Sequence, residues 1–196
     1  MDLPGIYSLY PRTIDEKIVT DILADRNGVY YPDCVVLVAD ATNLKNCMLL
    51  LTQLIDLKIP TVLALNMMDL AARSGQNIDV QALAVALDLP VVMINARTGQ
   101  GVVELKNLLA TSVIPSSKTI YKVGEEIEPL VKDIQQKFNL STPYQAYQVL
   151  QQTDNLSFLT SADKTYITTR AKDSNFFQHK YQGAETVMRY SFIQDL

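Results

Sequence analysis

One short apolar run, followed by two polar side chains, constrains the fold more than any other stretch. Thr61–Leu65 is followed at once by Asn66 and, three positions later, by Asp69. The run is too evenly apolar for a half-exposed strand, so we expect a strand buried on both faces, as in the parallel sheet of an α/β protein. Open α/β sheets bind their ligands at the carboxyl ends of such strands. The run therefore predicts a ligand site around Asn66 and Asp69.

Asp69 has the chemistry needed to recognise a planar edge with an N–H and an NH2 group, which is the edge that guanine presents. A carboxylate offers two acceptor oxygens, and these suit a bidentate contact. The Asn-x-x-Asp pattern is common by chance, however. The alternative is a loop in which Asn66 makes a turn and Asp69 caps a helix.

Strand-like and helix-like segments alternate through the first part of the chain. Further buried strands are predicted at Cys34–Ala39 and Val91–Ile94, with helices between the strands. Thr13 and Glu16 have the spacing of a capping box at the start of one helix. Because the connections are short, this alternation predicts an α/β fold with a parallel three-layer sheet.

The character of the chain changes near Ile114–Ser117, which we interpret as a linker. The residues after it show helical spacing, and Thr142-Pro143 is typical of a helix start. The residues predicted to face inward on the final helix are Phe177, Tyr181, Ala184, Met188 and Phe192. We therefore predict two domains, one with the sheet over residues 1–114 and one that is all-helical over residues 115–196.

The composition excludes several classes of protein. Hydrophobic residues make up 48% of the 196 positions and charged residues 19%, which favours a packed core over disorder. The net charge is −4 without a basic stripe, so nucleic acid is not an expected partner. No apolar run approaches the ~20 residues of a membrane-spanning helix. Cys34 and Cys47 lack a C-x-x-C pattern, and we expect reduced core thiols of the kind found in the cytosol.

Three polar loops occur in a set order, and their separations resemble those of P-loop GTPases. They are Asp2–Gly5, with the pattern D-x-x-G, then Asn66–Asp69, then Asn95–Arg97. Longer stretches, Asp-Leu-Pro-Gly-Ile-Tyr-Ser-Leu, Val-Ala-Asp-Ala-Thr-Asn-Leu and Ala-Leu-Asn-Met-Met-Asp-Leu, are similar to the cytoplasmic G domain of the ferrous iron transport protein B family. The tail, with Tyr-Gln-Gly-Ala at 181–184 and Arg-Tyr at 189–190, resembles the helical domain that follows the G domain in that family.

The resemblance implies a role for each matching residue on the base side of a guanine nucleotide. Asp69 would accept hydrogen bonds from the N1/N2 edge of guanine, and Asn66 would brace the loop and contact the base. Met67 stands where many GTPases have lysine, and its thioether would cover the face of the base. Ala96 would offer its backbone amide to the guanine oxygen, with Arg97 in the following position.

On the phosphate side, the resemblance implies that Asp2 reaches the Mg²⁺ shell and that the Gly5 amide reaches the γ-phosphate of GTP. The chain departs from the family here, because the P-loop pattern G-x-x-x-x-G-K-[ST] occurs nowhere in it. That pattern supplies the amide cradle, the phosphate-binding lysine and a Mg²⁺ ligand. We interpret the chain as an N-terminally truncated G domain and expect it to bind GTP, GDP and Mg²⁺ weakly or not at all and to be inactive as a GTPase.

In the intact protein, the resemblance implies a regulatory domain that binds and hydrolyses GTP. That domain would lie on the cytoplasmic side of the cell membrane, next to the membrane portion of a ferrous iron transporter, and the fragment itself would be soluble. Two alternatives remain at this point. One alternative to the transporter G domain is a non-catalytic interaction module with vestigial nucleotide binding, and the other is a soluble GTPase of another lineage.

The strand Cys34–Ala39 is expected to lie at the edge of the sheet. In the fold that the chain resembles, the strand bearing the P-loop would be its second neighbour. An apolar strand with unpaired backbone groups is a template for pairing with another chain. We therefore predict self-association through residues 34–39, or an edge covered by residues 6–12 or by the helical half.

Overall fold

The computed structural model describes all 196 residues as an α/β structure with three strands and nine helices. The strands are β1 (Val35–Asp40), β2 (Thr61–Asn66) and β3 (Val91–Met93). The helices are α1 (Ile14–Ala24), α2 (Leu44–Asp56), α3 (Met68–Arg73), α4 (Val80–Leu87), α5 (Val102–Leu109), α6 (Glu128–Lys137), α7 (Pro143–Gln152), α8 (Ser161–Asp173) and α9 (Gln178–Gln194). The predicted fold class is confirmed, and each predicted strand is present within one residue at either end.

The sheet is entirely parallel and has the order β1-β2-β3. The register aligns Asp40 with Asn66 at the carboxyl ends of β1 and β2. The central strand β2 is buried from Thr61 to Leu65, so both of its faces are covered. This burial explains why the sequence of β2 has no polar alternation.

Local signals in the sequence set the starts of several helices. Thr13 and Glu16 form the expected capping box at α1, and Thr142 forms another at α7 with Gln145. Helix α8 is capped by Thr160, one residue before the serine that begins it. Asp40 ends β1 and accepts hydrogen bonds from the backbone and hydroxyl of Thr42, which starts a 3-10 turn before α2.

The contacts divide the chain into two compact units. The helical unit comprises residues 1–31 and 120–191, and the sheet unit comprises residues 32–119 and 192–196. The first 31 residues thus belong with the helices of the second half, whereas the sequence groups them with the sheet. As a statement about domains, the division into residues 1–114 and 115–196 stays a prediction.

Two charged residues of the sheet unit fix the segment that we interpret as a linker. Lys58 follows α2, and its ammonium donates to the carbonyls of Ser116, at 3.1 Å, and of Lys118. Asp88 ends α4, and its carboxylate accepts from the backbone and the hydroxyl of Ser117 at 2.8 and 2.7 Å. The segment has no helix or strand, as predicted, but it is held against the sheet unit over Ser116–Lys118.

In the helical unit, the Asp133 carboxylate joins α6 to α8. It accepts from Arg170 Nε at 2.8 Å and from the Tyr166 hydroxyl at 3.0 Å. The hydrogen bond from Arg170 is the main reason that the pKa of Asp133 lies below its ordinary value of 3.8. A lowered pKa in the folded state stabilises the fold above the ordinary pKa, and the stabilisation is lost as the pH falls through the folded value.

We therefore predict that Asp133→Asn lowers the free energy of unfolding at neutral pH by about 1 kcal/mol or less, as for a partly exposed ion pair. The difference from the wild type should shrink as the pH falls below 3.8. Urea denaturation of both proteins at neutral and acidic pH measures the difference in the free energy of unfolding. A difference that stays constant down to the lowest pH would contradict a stabilising role for the ionised Asp133 carboxylate.

Candidate functional site

Two of the predicted base-reading residues meet at the carboxyl edge of the sheet. Asn66 is the last residue of β2 and is half-buried, and Ala96 follows β3. The Ala96 backbone amide donates a hydrogen bond to Asn66 Oδ1 at 3.2 Å. Because β2 and β3 are parallel neighbours, their carboxyl ends bring these two loops together. This hydrogen bond connects Asn66 to the loop after β3.

Met67 turns the chain sharply between Asn66 and α3. Its backbone is in the left-handed region, with φ 62° and ψ 27°, and its side chain is 40% exposed. This conformation is uncommon for residues other than glycine, asparagine and aspartate. The turn starts α3 immediately after the strand, and it leaves the Met67 thioether accessible beside the strand end.

Asp69 lies in the first turn of α3 and not in a loop, which corrects the position expected from the sequence. Its side chain is exposed and makes no hydrogen bond to the protein, and the start of α3 has no side-chain cap. The alternative in which Asp69 caps the helix is therefore wrong. Both carboxylate oxygens of Asp69 therefore remain available to a ligand.

The loop after β3 is ordered by Asn95, a residue whose role the sequence did not predict. Its Oδ1 accepts from the backbone amides of Arg97 and Thr98, each at 3.1 Å. A backbone bridge from Asn95 to Gln100 closes the loop. Asparagine is a common turn residue for this reason, so its presence before Ala96 was the available signal. Arg97 is exposed on this loop.

A glycine fixes the end of the same loop. Gly101 has φ 78°, and a Cβ atom built there would lie 2.0 Å from the carbonyl oxygen of Met93. Only glycine fits this close approach between the loop and β3. The loop that carries Ala96 is therefore held at both ends, by Asn95 and by Gly101.

Asp2 and Gly5, the predicted phosphate-side residues, belong to the helical unit. Both are exposed, and residues 1–13 contain no helix or strand. Nowhere in the chain do three or more His, Cys, Asp or Glu side chains form a group that would hold a metal ion. Asp2 thus offers a single carboxylate, which suits Mg²⁺ only where phosphates and water supply most of the ligands.

The two thiols are half-buried and free. Burial is the main cause that raises the pKa of both Cys34 and Cys47. A raised pKa keeps a thiol protonated and unreactive. No helix in the structure is both long enough and apolar enough to span a membrane.

The parallel sheet and the polar residues at its carboxyl edge are those of an α/β protein of the G-domain class. The family model for ferrous iron transport protein B matches residues 1–109. The chain belongs to this family and corresponds to part of its N-terminal G-domain region.

Curated relatives support the same family. The Fe(2+) transport protein A/Fe(2+) transporter FeoB fusion protein of Porphyromonas gingivalis is 37% identical over 150 residues, which cover 74% of this chain and 17% of that protein. The Fe(2+) transporter FeoB of Staphylococcus aureus strain COL is 36% identical over 152 residues, or 76% of this chain and 22% of that protein. The chain therefore spans about a fifth of the length of these relatives.

Solved structures of the family share the fold. The FeoB G domain of Methanococcus jannaschii is 40% identical, with a TM-score of 0.52 over 57% of this chain and 69% of that chain. The cytosolic domain of L. pneumophila FeoB is 25% identical, with a TM-score of 0.75 over 98% of this chain and 77% of that chain. The mGMPPNP-bound NFeoB of S. thermophilus is 27% identical, with a TM-score of 0.68 over 99% and 76%.

Proposed function

We propose that the sheet unit reads the guanine base of GTP or GDP through Asp69. The observation that carries the proposal is the exposed Asp69 carboxylate, which has no protein partner and stands at the start of α3 beside the Asn66–Ala96 contact. Two acceptor oxygens match the two donors of the N1/N2 edge of guanine. Met67 would cover the face of the base.

The loop after β3 would complete the base site. The Ala96 amide would turn from Asn66 Oδ1 to the guanine oxygen, and Arg97 would flank it. Because Asn95 and Gly101 already order this loop, the exchange needs little rearrangement. A site that is ordered before it binds loses less conformational entropy on binding.

The phosphate side is proposed on the resemblance and on the relatives. Gly5 would donate its amide to the γ-phosphate, and Asp2 would hold Mg²⁺ through water. Relatives from S. thermophilus are described as bound to GMPPNP and to GDP. No G-x-x-x-x-G-K-[ST] pattern occurs in the 196 residues, so we propose weak nucleotide binding and no GTP hydrolysis by this chain alone.

For the intact protein, we propose a regulatory domain that binds and hydrolyses GTP on the cytoplasmic side of the membrane. Its partner there would be the membrane portion of the ferrous iron transporter. The relatives whose names describe Fe(2+) transporters support this placement, and they are several times longer than the region matched here.

Base preference tests the proposed role of Asp69. We predict that the chain binds GDP more tightly than ADP in calorimetric titration, and that Asp69→Asn removes most of this preference. A neutral amide has one acceptor oxygen, so one donor of the base is left unpaired at a cost of about 1–3 kcal/mol, or roughly five- to 150-fold in affinity.

Asp79→Asn is the matched control, since it removes the same charge from the same unit. Asp79 caps α4, and asparagine caps helices equally well. The control should keep the preference of the wild type. Equal affinity of the wild-type chain for GDP and ADP would contradict the proposal that Asp69 recognises guanine.

A second proposal concerns the free edge of the sheet. Strand β1 has β2 as its one neighbour. The Val35 amide donates to the carbonyl of Pro60, the residue before β2, so the backbone groups of Val35 face β2. Because successive residues of a strand direct these groups to opposite sides, the N–H and C=O groups of Val36 and Val38 point away from β2. We propose that a second copy of the chain pairs with this edge, where the Val38 side chain is 54% exposed.

A further inference from the structure

A buried ion pair lies inside the helical unit. Glu185 and Arg189 stand one turn apart on α9, and both side chains have 0% exposure. Arg189 Nε donates to Glu185 Oε1 at 2.7 Å, and the Tyr144 hydroxyl donates to the same oxygen at 2.6 Å. Charges as deeply buried as these are rare in proteins and need several hydrogen bonds to be tolerated.

Aromatic rings from neighbouring segments enclose the guanidinium group. The Arg189 guanidinium lies 4.7 Å from the ring centre of Tyr144 and 5.6 Å from that of Tyr121. These distances are within the range of cation–π attraction. Gln148 Nε2 donates a further hydrogen bond to the Tyr144 hydroxyl at 2.6 Å. The network is therefore built to hold Glu185 in one position.

The second oxygen of the Glu185 carboxylate is used by the segment that follows Gly5. The Tyr10 hydroxyl donates to Glu185 Oε2. Burial is the main cause that raises the pKa of Tyr10 well above 10.0, so the phenol stays protonated and remains a donor. Ile6 and Leu9 of the same segment are buried as well. The hydrogen bond of Tyr10 thus attaches this segment to α9, and Ile6 and Leu9 are buried in the same segment.

We propose that Tyr10 and Glu185 are positioning residues for the loop Asp2–Gly5. Residues 1–13 have no helix or strand, so side-chain contacts such as that of Tyr10 with Glu185 contribute to their position. If the Tyr10 segment moved away, the buried Glu185 carboxylate would lose one hydrogen-bond partner. This cost favours the conformation in which Tyr10 stays bound to Glu185. The contact itself is independent of nucleotide, whereas its use in placing a phosphate-binding loop rests on the proposed function.

Tyr10→Phe in the 196-residue chain tests the proposal without nucleotide. Tyr7→Phe is the matched control, because Tyr7 lies three residues earlier and is 62% exposed. Two measurements report on the segment. They are the rate of chymotrypsin cleavage within residues 7–10 and the ¹⁵N heteronuclear NOE of the Gly5 amide, which is sensitive to fast motion.

We expect Tyr10→Phe to raise the cleavage rate about tenfold, as for loss of one charge-assisted hydrogen bond, and to lower the Gly5 NOE. The helical circular dichroism should stay unchanged, and Tyr7→Phe should behave as the wild type. Leu9→Ala removes an apolar attachment and should also release the segment, which serves as a positive control.

Two outcomes would overturn the proposal. In the first, Leu9→Ala releases the segment and Tyr10→Phe does not, so the hydrogen bond to Glu185 does not position it. In the second, Tyr10→Phe unfolds the helices, so Tyr10 supports the bundle and not the loop. Since no nucleotide is present, neither outcome depends on whether Asp69 reads guanine.

Discussion

Replacing Glu185 with leucine is expected to lower the free energy of unfolding by about 3–5 kcal/mol, the range for removal of one partner of a buried ion pair. Arg189 would then be buried without its carboxylate, and the hydroxyls of Tyr10 and Tyr144 would lose their acceptor. Most small domains have only 5–15 kcal/mol of stability in total, so the helical unit of the variant should be largely unfolded in mild urea.

A second substitution distinguishes the effect of losing the ion pair from the effect of changed side-chain packing. Adding Arg189→Met to Glu185→Leu removes both charges while keeping similar volume, and we expect it to recover most of the lost stability. Glu126→Gln is the control for an exposed pair, since Glu126 and Lys180 are 64% and 60% exposed. Its effect should be below about 1 kcal/mol. A comparable small loss for Glu185→Leu in urea denaturation would show that the buried pair does not stabilise the unit.

Sequence periodicity failed at this same helix. It predicted that Phe177, Ala184 and Met188 face inward on the final helix, but all three are exposed, and Phe177 precedes the first residue of α9. Tyr181 is buried as predicted and Phe192 is half-buried, but the rest of the buried face carries Glu185, Arg189 and Ile193. Periodicity assigns charged residues to the solvent face. It therefore cannot find a helix whose buried face holds an ion pair satisfied by tyrosines from distant parts of the chain.

The sheet was predictable for the opposite reason. The runs at β1, β2 and β3 are almost wholly apolar, as is typical of parallel strands. Only β2 is buried along its length, because Val38 in β1 and Met93 in β3 are exposed. The carboxyl ends of parallel strands lie at one edge of the sheet, so the sequence predicts that the loops carrying Asn66 and Ala96 are neighbours. The hydrogen bond between these residues agrees with this expectation. The sequence gives no comparable signal for the left-handed turn at Met67, because no glycine or asparagine marks it.

The contacts of residues 1–31 with the helices were also beyond sequence reasoning. The D-x-x-G pattern suggested membership of the sheet domain, yet Tyr10 and the segment around it pack in the helical unit. These contacts join residues 175 positions apart in the chain. Neither local propensity nor spacing reports on such separations, so only the folded structure shows them.

The oligomeric state should depend on the free edge of β1. We predict that the chain is a dimer or larger in analytical ultracentrifugation and that Val38→Lys makes it monomeric. Val38 presents its backbone groups away from β2, and a lysine on an edge strand opposes pairing with another strand. Val38 is more suitable than Val36, because Val36 packs against the core cluster of Val62 and Ala64, and a charge there would also disturb the fold.

Val85→Lys is the matched control, because Val85 is 76% exposed on α4 of the same unit and lies outside the edge. It introduces the same charge and should leave the association unchanged.

Leu37→Cys gives a second test of the dimer contact, by disulfide formation. If two β1 strands pair antiparallel about Leu37, Val36 and Val38 of each copy exchange backbone hydrogen bonds with Val38 and Val36 of the other. The two residues at position 37 then form a non-hydrogen-bonded pair with Cα atoms about 4.5 Å apart, which is within the range of a disulfide. A wild-type chain that sediments as a monomer at all concentrations, or a Val38→Lys variant that associates as the wild type does, would show that β1 is not the contact surface.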